Sequence, residues 1–422
     1  MRRNHVPSTS WRAVLFLSLS FVCAGTVRGD WNWSGWRGLS QNGHSAETGL
    51  PVEWDDGSVT WKTPLKGEGQ SSPVIWGEWI FLTSAVDKGA QRVVMCLDRN
   101  DGQILWEKVA WTGTPERSHG LNGWASATCV TDGEHVYAFF GKGRIHCYTL
   151  KGNHVWSKDL GPFVSPWGTA ACPVLVGNLI IQNCDADADA YIVGLDKKTG
   201  KQIWKTKRDD ARGWSSPILV NAAGRDEVVV NGDKGVRAYN PKTGKELWFC
   251  KGFNGRGSPT VTLSEAGLVH VINGLRGDIY AIKPGGNGDV TGTHMAWHTP
   301  RGGGRDLPSP IAVGNYLFGL TKSGILTCYD TQSGKELWKA RLEESSSYTS
   351  SPIAYQGIAF FTDVKGHTTA VKPGKQFNAV ARNELSGVRE LFRASPTPSD
   401  GQIFLRSNKT LYCIGKRKAA AK

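Results

Sequence analysis

From residue 58 onward, short apolar runs are punctuated by glycine, proline, asparagine and serine. Residues 309–342 show the plan: SPIAV, a turn at Gly314 and Asn315, YLFGLT, a turn at Ser323 and Gly324, ILTCYD, a turn through Gly334, then KELWKARL. Runs of this length, rich in β-branched and aromatic residues and bounded by turn formers, predict four antiparallel strands joined by hairpins. No useful helical period appears after residue 30.

Near-copies of the last strand recur along the chain. GKELW closes at Trp248 and again at Trp338, GKQIW at Trp204 and GQILW at Trp106, with looser versions at Trp61, Trp156 and Trp297, spaced 41 to 50 residues apart. That period belongs to a four-stranded propeller blade. Blade starts are marked by Pro73, Pro173, Pro217, Pro259, Pro310, Pro352 and Pro396, with Ala127 in the equivalent place of the second unit. A proline is tolerated at the first residues of a strand, so eight such starts predict eight blades. VTWKTPL reads as a fourth strand without its first three, and residues 394–415 read as a start without a Trp strand. Pairing the two closes the ring and removes its free edges.

The predicted fold is therefore an all-β, eight-bladed propeller of four-stranded antiparallel blades over residues 58–415, closed by its N-terminal strand. Residues 30–57, with Trp31, Trp33, Trp36 and Arg37, carry no repeat and are expected to clasp a face or side of the disc. Each third strand carries a small residue before its turn: Cys96, Cys147, Gly194, Ala238, Ala281, Cys328, Ala370 and Cys413. The position selects for size, and each Trp (Trp61, Trp106, Trp156, Trp204, Trp248, Trp297, Trp338) is expected to dock against it and fill the gap to the next blade. Cysteines at equivalent places in different blades are too far apart to bridge and read as buried free thiols, whereas the pairing of Cys129, Cys172, Cys184 and Cys250 stays open.

Residues 1–29 combine Arg2, Arg3, His5 and Arg12 with the apolar run AVLFLSLSFVCAGTV, the pattern of a secretory signal peptide. Exported placement in a periplasm or cell envelope follows. Without the four arginines of this leader, the net charge of +13 becomes +9, and the tail of residues 416–422 carries four more cations and reads as a solvated end. A basic bias this weak, with no basic-aromatic stripe, excludes a nucleic-acid face; an acidic polymer or peripheral contact with a membrane surface suits it better.

A small residue, then Asp two positions on, Gly four after that and Trp four further resembles the tryptophan-docking motif of pyrroloquinoline quinone (PQQ) repeat propellers. Cys96–Asp98–Gly102–Trp106, Gly194–Asp196–Gly200–Trp204 and Cys328–Asp330–Gly334–Trp338 match in full, and Ala238–Asn240–Gly244–Trp248 nearly so. The resemblance spans residues 58–415 and implies one of two classes: quinoprotein dehydrogenases that oxidise alcohols, aldehydes or sugars with PQQ and calcium, or cofactor-free scaffolds such as the BamB outer-membrane assembly factor. The Trp-rich opening looks like exported BamB-like proteins of planctomycete-type bacteria. The chain lacks the adjacent cysteine pair and the large insertions of the dehydrogenases, and lacks the lipobox of BamB. The leading expectation is a monomeric, non-catalytic exported scaffold, without a cofactor, for an envelope protein or polymer. The alternatives are a PQQ-dependent oxidoreductase and an acidic-polysaccharide binder.

Loops entering the innermost strands gather at one mouth of a propeller channel. Here they supply Arg117, His119, Asn122, Trp124, Trp167, Arg212, Trp214, Arg256, Arg301, Arg305, Arg389 and Arg393. One reading is a funnel for an anion, since guanidinium forks suit carboxylate or phosphate; the other is that these groups satisfy loop carbonyls and cap their blades. Asp185, Asp187 and Asp189 would share a face of an extended strand and could begin a calcium site, against the simpler reading of a solvated hairpin tip. His119 is a candidate acid or base without an identified partner. The glycine-rich turn before Trp297 reads as a tolerated insertion.

Overall fold

The computed structural model describes Met1 and residues 31–253, 256–301, 303–343 and 346–417, so the predicted leader lies outside the described residues. Residues 31–417 form eight antiparallel sheets of four consecutive strands, arranged as predicted. The first blade comprises Val74–Trp76, Trp79–Val86, Gln91–Asp98 and Ile104–Thr112. The last blade takes three strands from the C-terminal end and its outermost from Val59–Pro64, in antiparallel register with Thr410–Ile414.

The tryptophan beat has a two-sided physical cause. Within a blade, each Trp stands opposite a small third-strand residue: Cys96 faces Trp106, Gly194 faces Trp204 and Cys413 faces Trp61. Across the gap, the indole lies on a glycine of the next blade, where a Cβ on Gly102, Gly152, Gly200, Gly244 or Gly334 would come within 3 Å of ring atoms. Those glycines turn at positive φ, so the position demands glycine twice over. The indole N–H then donates to a carbonyl of that next blade: Trp106 to Leu150 at 2.9 Å, Trp156 to Lys197 at 3.0 Å, Trp204 to Pro241 at 2.9 Å and Trp338 to Gly374 at 2.9 Å.

Trp248 departs from this rule. Its N–H donates to the Glu227 carboxylate of its own blade at 2.7 Å, and its register neighbour on the outer side is Gly288. The glycine-rich turn lays Gly288–Asp289 parallel to Glu246–Lys251 as a fifth strand of the fourth blade, so it is a built cover and not a passive insertion.

The structure settles one open point and corrects two further expectations. All eight described cysteines are free and buried, which settles the four left open. The blade starts at Ala127 and Pro259 lie two residues early, because Cys129 and Val261 occupy the place that proline holds elsewhere, directly after Thr128 and Thr260. Arg417 is not a frayed end: it pairs with Glu78 at 2.6 Å and Asp400 at 2.9 Å, stapling the last blade to the first. Arg99 and Arg406 reinforce the same seam through carbonyls of Ser399, Ser71 and Thr83, and burial lowers Arg406 to about 9.

Residues 31–49 leave the disc's side and cross the channel. Trp33 bridges Ile75, Ser34 accepts from Thr131, Gln41 accepts from Leu219, Arg37 donates to Pro310 at 2.8 Å, and His44–Ser45 pairs in parallel with Ala354–Tyr355. These contacts reach the innermost strands of five blades, so the segment is a plug more than a clasp.

Trp248 is wholly buried, its indole N–H bonded to Glu227 and its strand paired on both edges. Trp248→Ala is expected to cost about 3–5 kcal/mol, and more than the same change at the half-buried Trp338, in urea unfolding of the two variants.

Candidate functional site

One small side chain precedes the innermost strand of every blade: Ser72, Thr128, Cys172, Ser216, Thr260, Ser309, Ser351 and Ser395. The backbone N–H of each donates to the side chain of the next around the axis, at 2.8 Å for Ser72 to Thr128, 3.2 Å for Thr128 to the Cys172 sulfur, and 2.9 or 3.0 Å for the five from Cys172 to Ser351. Ser395 donates to Ser72 at 3.0 Å and closes the circle. Proline follows six of the eight, which holds the preceding residue extended and its N–H aimed sideways.

These eight residues form the waist of a cavity of about 480 Å³. Trp36 of the plug lines it, and the loops entering the innermost strands form its mouth. Of the predicted mouth residues, His119, Asn122, Trp167, Trp214, Arg256, Arg305 and Arg393 line it, together with Leu121, Leu275 and Leu307. Arg117, Trp124, Arg212, Arg301 and Arg389 do not.

Several of these side chains have structural partners. Asn122 donates to the Trp167 carbonyl at 2.8 Å, and Trp124 donates to Glu116 and covers Gly89. Trp167 and Trp214 stack at 5.9 Å, and Arg212 and Arg256 lie 4.6 and 4.5 Å from the Trp167 ring centre. His119 accepts the Leu121 N–H at 3.1 Å and meets Trp167 edge-on; no nucleophile or carboxylate contacts it among the described residues.

The acidic triplet is not a shared strand face, because its strand ends at Cys184. Asp185 is buried in a bidentate pair with Arg208 at 2.6 Å, Asp187 pairs with Arg212 at 2.6 Å, and Asp189 turns at positive φ. Asp185 is therefore no solvated hairpin tip, and the two pairs remove its and Asp187's charge from any cation. Among the described residues no group of three or more His, Cys, Asp or Glu could hold a metal. The cavity also offers a quinone no open indole sandwich at Trp167, whose ring already carries Trp214, Arg212 and Arg256. The residues present do not fit PQQ with calcium.

After these pairings, and with Arg301 held by Asp306 at 2.9 Å, Arg256, Arg305 and Arg393 face the cavity without a salt bridge among the described residues. The mouth is thus cationic with leucine between the charges. The waist and the place of Trp36 are not evident from the sequence, although a Ser-Pro pair before five of the eight innermost strands carries a signal for the waist.

A protein-family model described as outer membrane protein assembly factor BamB matches residues 44–161, 90–256, 141–290 and 275–379. The chain belongs to this BamB-like family of PQQ-repeat propellers. Within the family, it is 27% identical over 187 residues to the outer membrane protein assembly factor BamB of Moranella endobia (strain PCIT). That match covers 43% of this chain and 43% of the relative, so it spans less than half of the relative's length. Among solved structures, BamB from Moraxella catarrhalis superposes with a TM-score of 0.63 at 13% identity, over 86% of this chain and 99% of that one. Quinohemoprotein alcohol dehydrogenase ADHIIG from Pseudomonas putida HK5 gives 0.65 at 11% identity, over 93% and 82%. These two likenesses show the fold alone.

Burial pushes Asp306 up from 3.8 to about 6, against the pull of Arg301. Its native form binds a proton more readily than the unfolded chain does, so its contribution to stability falls as pH rises from 3.8 to about 6 and is flat above. Relative to Asp306→Asn, the wild type is expected to lose stability across that interval, as read by denaturant midpoints at a series of pH values.

Proposed function

We propose that this chain is a non-catalytic exported scaffold of the cell envelope, BamB-like in role, whose channel mouth docks an acidic segment of a protein partner. The observation that carries this reading is the mouth itself: Arg256, Arg305 and Arg393 without a salt bridge among the described residues, interleaved with Leu121, Leu275 and Leu307. An exposed Leu275 and half-buried Leu121 and Leu307 among cations free of salt bridges suit an anchor-and-rim interface, in which leucines exclude water and arginines select for acid. The family match supports placement in the envelope and a role in assembly there, as the name of the Moranella endobia relative states for that protein. A polysaccharide threaded along the axis is disfavoured by the plug, and Arg212, once a candidate for gripping it, is committed to Asp187.

Photo-cross-linkers placed at Leu275 and Leu307 in the native envelope are expected to trap one discrete partner. The combined Arg256→Ala and Arg305→Ala change is expected to cut capture at least about tenfold. Cross-linking that is absent, or unaffected by the double variant, sinks the proposal. The fold likeness to an alcohol dehydrogenase supplies the competing reading, a PQQ-dependent oxidoreductase. Titration of PQQ with calcium is expected to leave tryptophan fluorescence and melting temperature unchanged; saturable quenching at one equivalent would restore that reading.

A further inference from the structure

The circle at the channel waist has more hydrogen-bonding capacity than its structural role consumes. Each side chain accepts one backbone N–H from its neighbour, and each of the seven hydroxyls still carries a proton to donate. Thr128 and Ser216 flank the Cys172 sulfur, which is an acceptor within their reach. The hydroxyls of Ser72, Thr260, Ser309, Ser351 and Ser395 meet no protein acceptor among the described residues. All five residues are at most 5% exposed, and all five line the cavity. Buried donors in this state need an acceptor supplied from outside the fold.

The geometry points to a binding site for a small oxyanion, a carboxylate or phosphate, held on the channel axis by the hydroxyl circle. Three features specify the charge and size. The convergent groups are donors whose oxygens are already engaged by N–H groups, so they complement an acceptor-rich ligand better than a cation. Arg256 and Arg305 line the same cavity and make no salt bridge among the described residues, while Asp306, which also lines it, is paired with Arg301 at 2.9 Å. Trp36 lines the cavity from the plug, and the volume of about 480 Å³ suits a small molecule. Burial strengthens each hydroxyl contact to a charged oxygen, because water cannot compete for it there. The site lies beneath the mouth loops and needs no macromolecular partner, so its failure leaves the docking reading standing, and the reverse also holds.

The circle contains its own test. Cys172 is the one member whose side chain is a poor donor, and its thiol reaches only the Ala170 carbonyl, at 3.7 Å. Cys172→Ser keeps the acceptor for the Thr128 N–H and adds a proper donor. In calorimetric titrations of the full chain with inorganic phosphate and with succinate, saturable one-to-one binding of at least one anion is expected; which of the two binds tighter assigns the ligand as phosphate or carboxylate. Cys172→Ser should tighten that binding several-fold, Ser351→Ala should weaken it about tenfold, and Ser351→Thr, which retains the hydroxyl, should restore it. A purely architectural circle would change melting temperature in these variants without moving affinity. No saturable binding of either anion, or one affinity shared by the wild type, Cys172→Ser and Ser351→Ala, overturns the proposal.

Discussion

Eight twisted sheets can share one axis only if what stands between them at the centre is small and pairs the backbone N–H groups that converge there. The circle from Ser72 to Ser395 meets both conditions. A backbone N–H at a channel waist has no ladder partner, and leaving eight of them unpaired in a narrow space would cost about 1–3 kcal/mol for each. One hydroxyl or thiol per blade solves this locally and simultaneously fixes the distance between neighbouring blades. Larger side chains at these positions would push the sheets apart, and the remaining structure inherits its eightfold geometry from this constraint.

The periphery solves the opposite problem. Blades diverge with radius, so the gap that a serine bridges at the waist must be filled by an indole at the rim. Glycine on the receiving blade lets the ring approach, and a carbonyl there takes its N–H. Where the fifth blade offers no such glycine, the chain covers Trp248 with its own glycine-rich strand and turns the indole N–H inward to Glu227. The last blade is completed by strand pairing alone, and its junction with the first blade carries in addition Arg99, Arg406 and Arg417, long side chains that span it with bonds to carbonyls and carboxylates.

The same architecture places chemistry at one end of the channel. Because the plug fills the far end and the ring loops converge at the near one, charge brought in by separate blades ends up around a single cavity. Ion pairing then sorts it: Asp185, Asp187 and Asp306 neutralise Arg208, Arg212 and Arg301, and the guanidinium groups of Arg256 and Arg305 are left for whatever the mouth receives. Arginines that look alike in sequence thus acquire opposite roles.

The amino-acid sequence by itself determined the repeat, the blade number, the closing strand and the docking tryptophans, because each is a local pattern repeated often enough to be read without contacts. It also held the waist, in a serine, threonine or cysteine ahead of each innermost strand, but only the closed ring gave that residue a partner one blade away. Which arginine meets which aspartate, where residues 31–49 lie and why Arg417 is anchored were decided by tertiary structure alone. Those contacts join residues tens to hundreds of positions apart, with no period to announce them. Their existence depends on the angle at which neighbouring blades meet, a property of the assembled ring and of no single segment.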